Sequence, residues 1–191
     1  WHKPVLFQIS ILLLAFADGL AALVGKRYGR HRYHLGEHVR TLEGSATVLV
    51  VSWVATTSLL WLGAGVNWID AMLIGTLLAG LVCAVEALSL WGLDNLLIPL
   101  VGAVFLNASI QWTRETLLWH LLACLVALAV ATVSQFKGYL KLNGAVAAWL
   151  LGYLTLGVGG VAWFMPLFVS FMLINWVGKF AGRVAARRLP P

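Results

Sequence analysis

The sequence predicts an all-α, polytopic transmembrane helix bundle of about seven spans, and three observations carry that expectation. The first is composition: 61% of the 191 residues are hydrophobic and 10% are charged, where a soluble domain carries roughly 25% charged residues. Mean hydropathy is +0.91. The second is length, because successive apolar stretches, most of them about 17–21 residues, suffice to cross a hydrocarbon core roughly 30 Å thick. They are too continuous for barrel strands, which alternate at every second residue. The third is the placement of Lys and Arg, described below.

In chain order the expected spans are 5–25, 45–63, 68–88, 96–112, 117–135, 142–156 and 161–180. A long polar loop, 26–44, separates the first two. The other connections are short, at 63–65, 91–95, 113–116, 136–141 and 157–160, which suits neighbouring antiparallel helices. The ten tryptophans mostly fall near span ends, where interfacial aromatic belts form. The first span is no signal peptide, since no small-residue cleavage pattern follows it and Asp18 lies inside it. The chain begins at Trp1 rather than Met, as a processed or trimmed fragment would.

With the first span ending in the cytoplasm, the inner segments carry eleven basic residues, from Lys26, Arg27, Arg30, Arg32 and Arg40 to Lys179, Arg183, Arg187 and Arg188, and the outer segments carry Lys3 and Arg114. That bias orients the bundle by the positive-inside rule. It also accounts for the net charge of +6 without nucleic acid, for which basic–aromatic interleaving on an exposed face is missing. The same topology sorts the acids: Asp18, Glu37, Glu43, Glu86 and Asp94 fall toward the cytoplasm, and Asp70 and Glu115 outside. Asp70 and Asn67 read as boundary or capping residues. Cys83 and Cys124 lie within apolar runs without metal-ligand spacing and read as packing residues.

Chemistry is therefore sought at the cytoplasmic face, starting with Asp18. A carboxylate in an apolar segment costs a few kcal/mol and ordinarily faces protein or a water-filled cavity. At helical spacing Asp18, Ala22, Gly25 and Gly29 share a face of little bulk, which another backbone or a phosphate can approach. The bland alternative is a helix-end acid that snorkels to water or pairs with Arg27, although Asp is too short to snorkel far. The loop holding Lys26, Arg27 and Gly29 either binds phosphates or simply marks the inner side. Its histidines, His31, His34 and His38, read as solvated. Arg40 and the Glu43-Gly44-Ser45 segment lead into the second span, whose N-terminus is a ready anion site; Thr41 or Ser45 alternatively serves only as its cap. Glu86 near the end of the third span and Asp94-Asn95 beyond it complete a set of acids from separate helix ends. Oxygen ligands of this kind suit Mg²⁺, which commonly takes one or two carboxylates plus substrate phosphates.

Taken in order, Asp18-Gly19-Leu20-Ala21, Gly25-Lys26-Arg27-Tyr28-Gly29, Thr41-Leu42-Glu43-Gly44-Ser45, Glu86, Asp94-Asn95 and Pro99 resemble the phytol kinase and dolichol kinase family, and most closely its phytol kinase branch. Arg40 stands where many members have Lys. The resemblance covers roughly residues 5–110 and implies a membrane-embedded, CTP-dependent polyprenol kinase that phosphorylates an isoprenoid alcohol such as phytol. It assigns Asp18 and Glu86 to catalysis, and Asp18, Glu86 and Asp94 to Mg²⁺. Gly25, Lys26, Arg27, Gly29, Arg40, Glu43, Gly44, Ser45 and Asn95 would bind the nucleotide. Whether Asp18 is metal ligand or proton acceptor stays open.

The C-terminal part, from Leu142-Asn143-Gly144 through Gly159-Gly160, resembles the start of the prenyl-phosphate kinase-like family. The expected division is a catalytic membrane domain over residues 1–112 and a membrane extension over 113–191. The expected partners are the alcohol, the nucleotide and membrane lipids, without nucleic acid. The expected setting is a prokaryotic cell membrane or a plastid envelope, with the active site facing the cytoplasm. Two rival readings are a related CTP-dependent phosphatidate cytidylyltransferase, which releases pyrophosphate, and a small transporter without catalysis.

Overall fold

The computed structural model describes residues 3–35, 38–89 and 92–188. Glu37 and Trp91, which the sequence places at the cytoplasmic end, lie outside these residues. The described chain is helical apart from one two-stranded hairpin, so the all-α expectation holds. Among the described residues, five helices are long and apolar enough to cross a membrane, which suggests a membrane protein.

The first rod runs as α1 (Lys3–Leu12), a π-helical turn (Leu13–Asp18) and α2 (Gly19–Tyr28). Pro4 sits in its first turn, where a missing N–H costs nothing. The π-helical turn ends on Asp18, and such a turn shifts the facing of every later residue on the rod. At Gly29 the backbone turns extended, and its N–H bonds the Gly25 carbonyl at 3.1 Å. A Cβ at Gly29 would overlap that carbonyl and the Thr41 side chain, so only glycine fits.

Residues 26–44 are expected to be a loop; instead α2 runs to Tyr28, α3 begins at Leu42, and between them β1 (Arg32–Leu35) pairs antiparallel with β2 (His38–Thr41) in the register Arg32↔Thr41, Tyr33↔Arg40, His34↔Val39. Two short strands studded with Arg and His carry too little apolar alternation to stand out from a solvated loop. The Glu43 carboxylate anchors the approach to the hairpin by accepting from the backbone N–H of Arg30 (3.1 Å) and His31 (3.2 Å) and meeting the His31 ring at 2.8 Å.

The second rod, α3 (Leu42–Leu62), starts three residues before the expected span. Thr41 is its N-cap, accepting from the Gly44 N–H at 3.1 Å. Asn67 likewise caps α4 (Trp68–Leu88) through the Ile69 N–H at 3.0 Å. The α4 helix is the centre of the bundle, with Ile74, Leu77, Leu78 and Val82 fully enclosed. It meets α3 most closely at Gly75, where a Cβ would overlap the Thr57 hydroxyl; small residues at such crossings let two backbones approach.

The α5 helix (Asp94–Ser109) has 16 residues with Pro99 inside, about 24 Å of rise. It is apolar but shorter than the candidate spans. The α6 helix (Arg114–Phe136) is capped by Thr113. Helix α7 (Leu142–Arg188) breaks at Gly160, whose φ of 72° lies in the left-handed region. Its two arms fold back on each other, since Ala148 and Gly152 share a cavity wall with Phe164 and Phe168. The expected break at 157–160 thus narrows to one residue. Length and apolarity alone give five spans rather than about seven, because α5 is short and the two arms of α7 form one apolar stretch.

Candidate active site at one end of the bundle

The C-terminal end of α2, the hairpin, the N-terminal end of α3 and the C-terminal end of α4 enclose a cavity of about 460 Å³. Of the residues singled out in the sequence, Asp18, Gly25, Lys26, Arg40, Gly44, Ser45 and Glu86 line it. Five more join them: Ala22 and Thr41, which the sequence places on the Asp18 face and at the start of the second span, and Ala21, Arg32 and Val39. Arg32, Val39 and Arg40 arrive only because the hairpin folds over the cavity. Their signal was the weak Tyr33/Leu35 and Val39/Thr41 alternation between basic residues.

The small-residue strip on α2 divides its work. At Gly25 another backbone approaches: a Cβ there would lie 2.9 Å from the Thr41 hydroxyl and 3.8 Å from the Gly44 backbone. One on Gly44 would meet the Ala21 carbonyl at 3.4 Å. The facing glycines therefore bring α2 and α3 together and place the positive end of α3 on the cavity, where an anion is favoured. Ser45 is held there by a 2.5 Å hydrogen bond with the Tyr33 hydroxyl, and its carbonyl accepts from the Cys83 thiol at 3.7 Å. Cys83 is thus a packing contact between α3 and α4.

Charge in the cavity is mixed. Lys26, Arg32 and Arg40 supply cations, and Asp18 and Glu86 supply carboxylates. Half-buried Arg40 forms an ion pair with buried Glu86, and an Arg40 N–H also donates to the Ser89 carbonyl at 3.4 Å. The pair leaves Arg40 Nε and Glu86 Oε2 buried and without a hydrogen-bond partner among the described residues. Among the described residues no ion pair joins Asp18 to Arg27; the Arg27 guanidinium lies over the Tyr28 ring instead, 5.5 Å from its centroid.

The remaining expected residues stand off the cavity wall. Glu43 is committed to the loop before the hairpin, Gly29 packs on Thr41, and the Asp94 carboxylate accepts from the Asn95 N–H at 3.0 Å. Glu86 is taken by Arg40. Accordingly, no group of three metal-ligating side chains forms among the described residues. At this end of the bundle Asp18 and Asp94 are the carboxylates without an ion pair among the described residues, and Mg²⁺ commonly takes one or two carboxylates together with phosphate oxygens.

A curated protein named phytol kinase, from Synechocystis sp., is 40% identical to this chain over 101 residues, 53% of this chain and 43% of that protein. The match spans less than half the length of that relative. It supports a relationship to the phytol kinase family. No family model and no solved structure matches the chain.

Proposed function

We propose that this chain carries the catalytic site of a membrane-embedded kinase, which transfers a phosphate from CTP or another nucleoside triphosphate to the hydroxyl of an isoprenoid alcohol such as phytol. The observation that carries the reading is the cavity itself. Three cations, two carboxylates and a helix N-terminus meet at the ends of long apolar helices, where a lipid's hydroxyl and a soluble nucleotide can meet. Similarity to a phytol kinase supplies the acceptor class. Basic residues crowd the same end of the helices, which supports an active site facing the cytoplasm.

Phosphoryl transfer asks for positioning and charge neutralisation more than for covalent chemistry. Lys26, Arg32 and the α3 N-terminus at Gly44-Ser45 hold the phosphates, and Arg27 adds positive charge beside them. Asp18 and Asp94 would hold Mg²⁺, which when bound offsets phosphate charge. The alcohol oxygen forms a bond to the terminal phosphorus as the bond to the nucleoside diphosphate breaks, and that diphosphate leaves with the electron pair. A carboxylate of the cavity takes the hydroxyl proton. The catalytic domain over 1–112 would then be joined to an extension over 113–191, and the whole chain would have about seven membrane-crossing segments.

The test is an assay with CTP and Mg²⁺ against phytol, geranylgeraniol, dolichol and diacylglycerol. Release of CDP with a phosphorylated prenol is the expected result. Release of pyrophosphate would make the protein a cytidylyltransferase, and substrate flux in proteoliposomes without nucleotide turnover would make it a transporter.

A further inference from the structure

A second cavity, of about 260 Å³, backs onto the first and is lined by Val85, Leu88, Ser89, Leu93, Leu97 and Leu150. Its walls are leucine and valine except for Ser89. The Ser89 hydroxyl is buried and has no hydrogen-bond partner among the described residues. Burying a hydroxyl without a partner is unfavourable, and a ligand hydroxyl in the groove would relieve it. The partition between the cavities is the last turn of α4 and its exit: Glu86 faces the charged side, while Val85, Leu88 and Ser89 line the apolar side. Arg40 reaches from the charged cavity to the Ser89 carbonyl. The apolar cavity between α6 and the arms of α7 differs on both counts. Its hydroxyl, on Ser134, already donates to the Val130 carbonyl at 2.7 Å, and none of its lining residues is a chain neighbour of one in the charged cavity, as Val85 is of Glu86.

We infer that the groove of Val85, Leu88, Leu93, Leu97 and Leu150 seats the first isoprene units of the acceptor alcohol, with its hydroxyl at the Ser89 end beside Glu86. This rests on the kinase reading above and sharpens it in two ways. Glu86, once a phosphate draws Arg40 away, is the carboxylate that accepts the hydroxyl proton, leaving Asp18 to the nucleotide side. Leu150 belongs to the C-terminal part, so that part is a wall of the acceptor site and helps to set its specificity. The rest of a long prenyl chain lies along the apolar helix surfaces outside the groove.

The experiment uses the whole protein in lipid nanodiscs with a phytol analogue bearing a diazirine on its second isoprene unit. Photolabel is expected on the segments around residues 85–97 and 150, competed by unlabelled phytol and lost in Leu150→Trp. In turnover assays, Leu150→Trp and Leu97→Trp should raise KM for phytol about tenfold with KM for CTP unchanged, while Ser89→Ala raises it less. Size-exclusion profiles and melting curves of the variants establish that they fold. Label confined to the α6–α7 cavity, label that phytol does not compete, as a bilayer acyl chain would give, or unchanged KM in both tryptophan variants would overturn the assignment. Because labelling needs no turnover, its outcome is read even if the wild type fails to phosphorylate phytol, which would overturn only the kinase reading.

Discussion

The two ends of the bundle each carry an Arg–carboxylate pair, and they are built for different ends. At the Arg114 end, Arg114 Nε donates to Asp70 at 2.8 Å, its terminal nitrogen reaches both Asp70 and Asn67 at 3.3 Å, and Asn67 also caps α4. Both Asp70 oxygens are used, in a group half open to solvent. It is a finished clamp between α4 and α6. At the Arg40 end Glu86 is buried and Arg40 half-buried, yet among the described residues one nitrogen and one oxygen of the pair stay unpartnered, and Asp18 beside them forms no ion pair. A closed network holds helices together; an open one in a cavity has spare valence for a ligand.

That contrast breaks first on Asp18. Asp18→Asn should cut transfer from CTP to phytol by about a hundred- to ten-thousand-fold, with normal membrane insertion by fluorescence size exclusion; full activity would remove Asp18 from the site. Next is the Arg40–Glu86 pair. Glu86→Gln or Arg40→Met alone strands its partner and should destabilise the protein by about 3–5 kcal/mol, whereas the double change Arg40→Met with Glu86→Leu should recover most of that stability but no activity. Melting curves of the three variants give the comparison. Gly29→Ala comes third: its Cβ has no room against Thr41, and overpacking of this kind costs about 1–3 kcal/mol, with a fall in CTP affinity as the hairpin shifts. The smallest effect is expected from Arg114→Ala, at most about 1 kcal/mol for a solvent-exposed pair and no change in kcat/KM. A large loss of activity there would erase the distinction between the two ends.

Much of this was legible before any coordinates. Asp18, Lys26, Arg40, Gly44, Ser45 and Glu86 were marked by being charged or small at the ends of apolar runs, and all line one cavity. Asn67 announced itself as a cap by preceding an apolar run. What stayed hidden depended on contacts between distant segments. The hairpin lacked a strong alternation, so Arg32 and Val39 looked like loop. Glu43, grouped with Gly44 and Ser45 by adjacency, points the other way along α3 and binds backbone N–H groups twelve and thirteen residues earlier. Adjacency in a helix means a rotation of about 100°, so neighbours in a motif need not share a site.

The sequence by itself determined the helical class, the end of the bundle where charge collects and most of the residues found there, because each follows from hydrophobic length and from the cost of placing charge in an apolar segment. Only the tertiary structure decided that Gly25 and Gly44 serve a helix crossing, that Arg40 occupies Glu86, and that Leu150 borders the same region. Those are facts of packing, set by which surfaces meet across the fold, and spacing along a chain does not encode them.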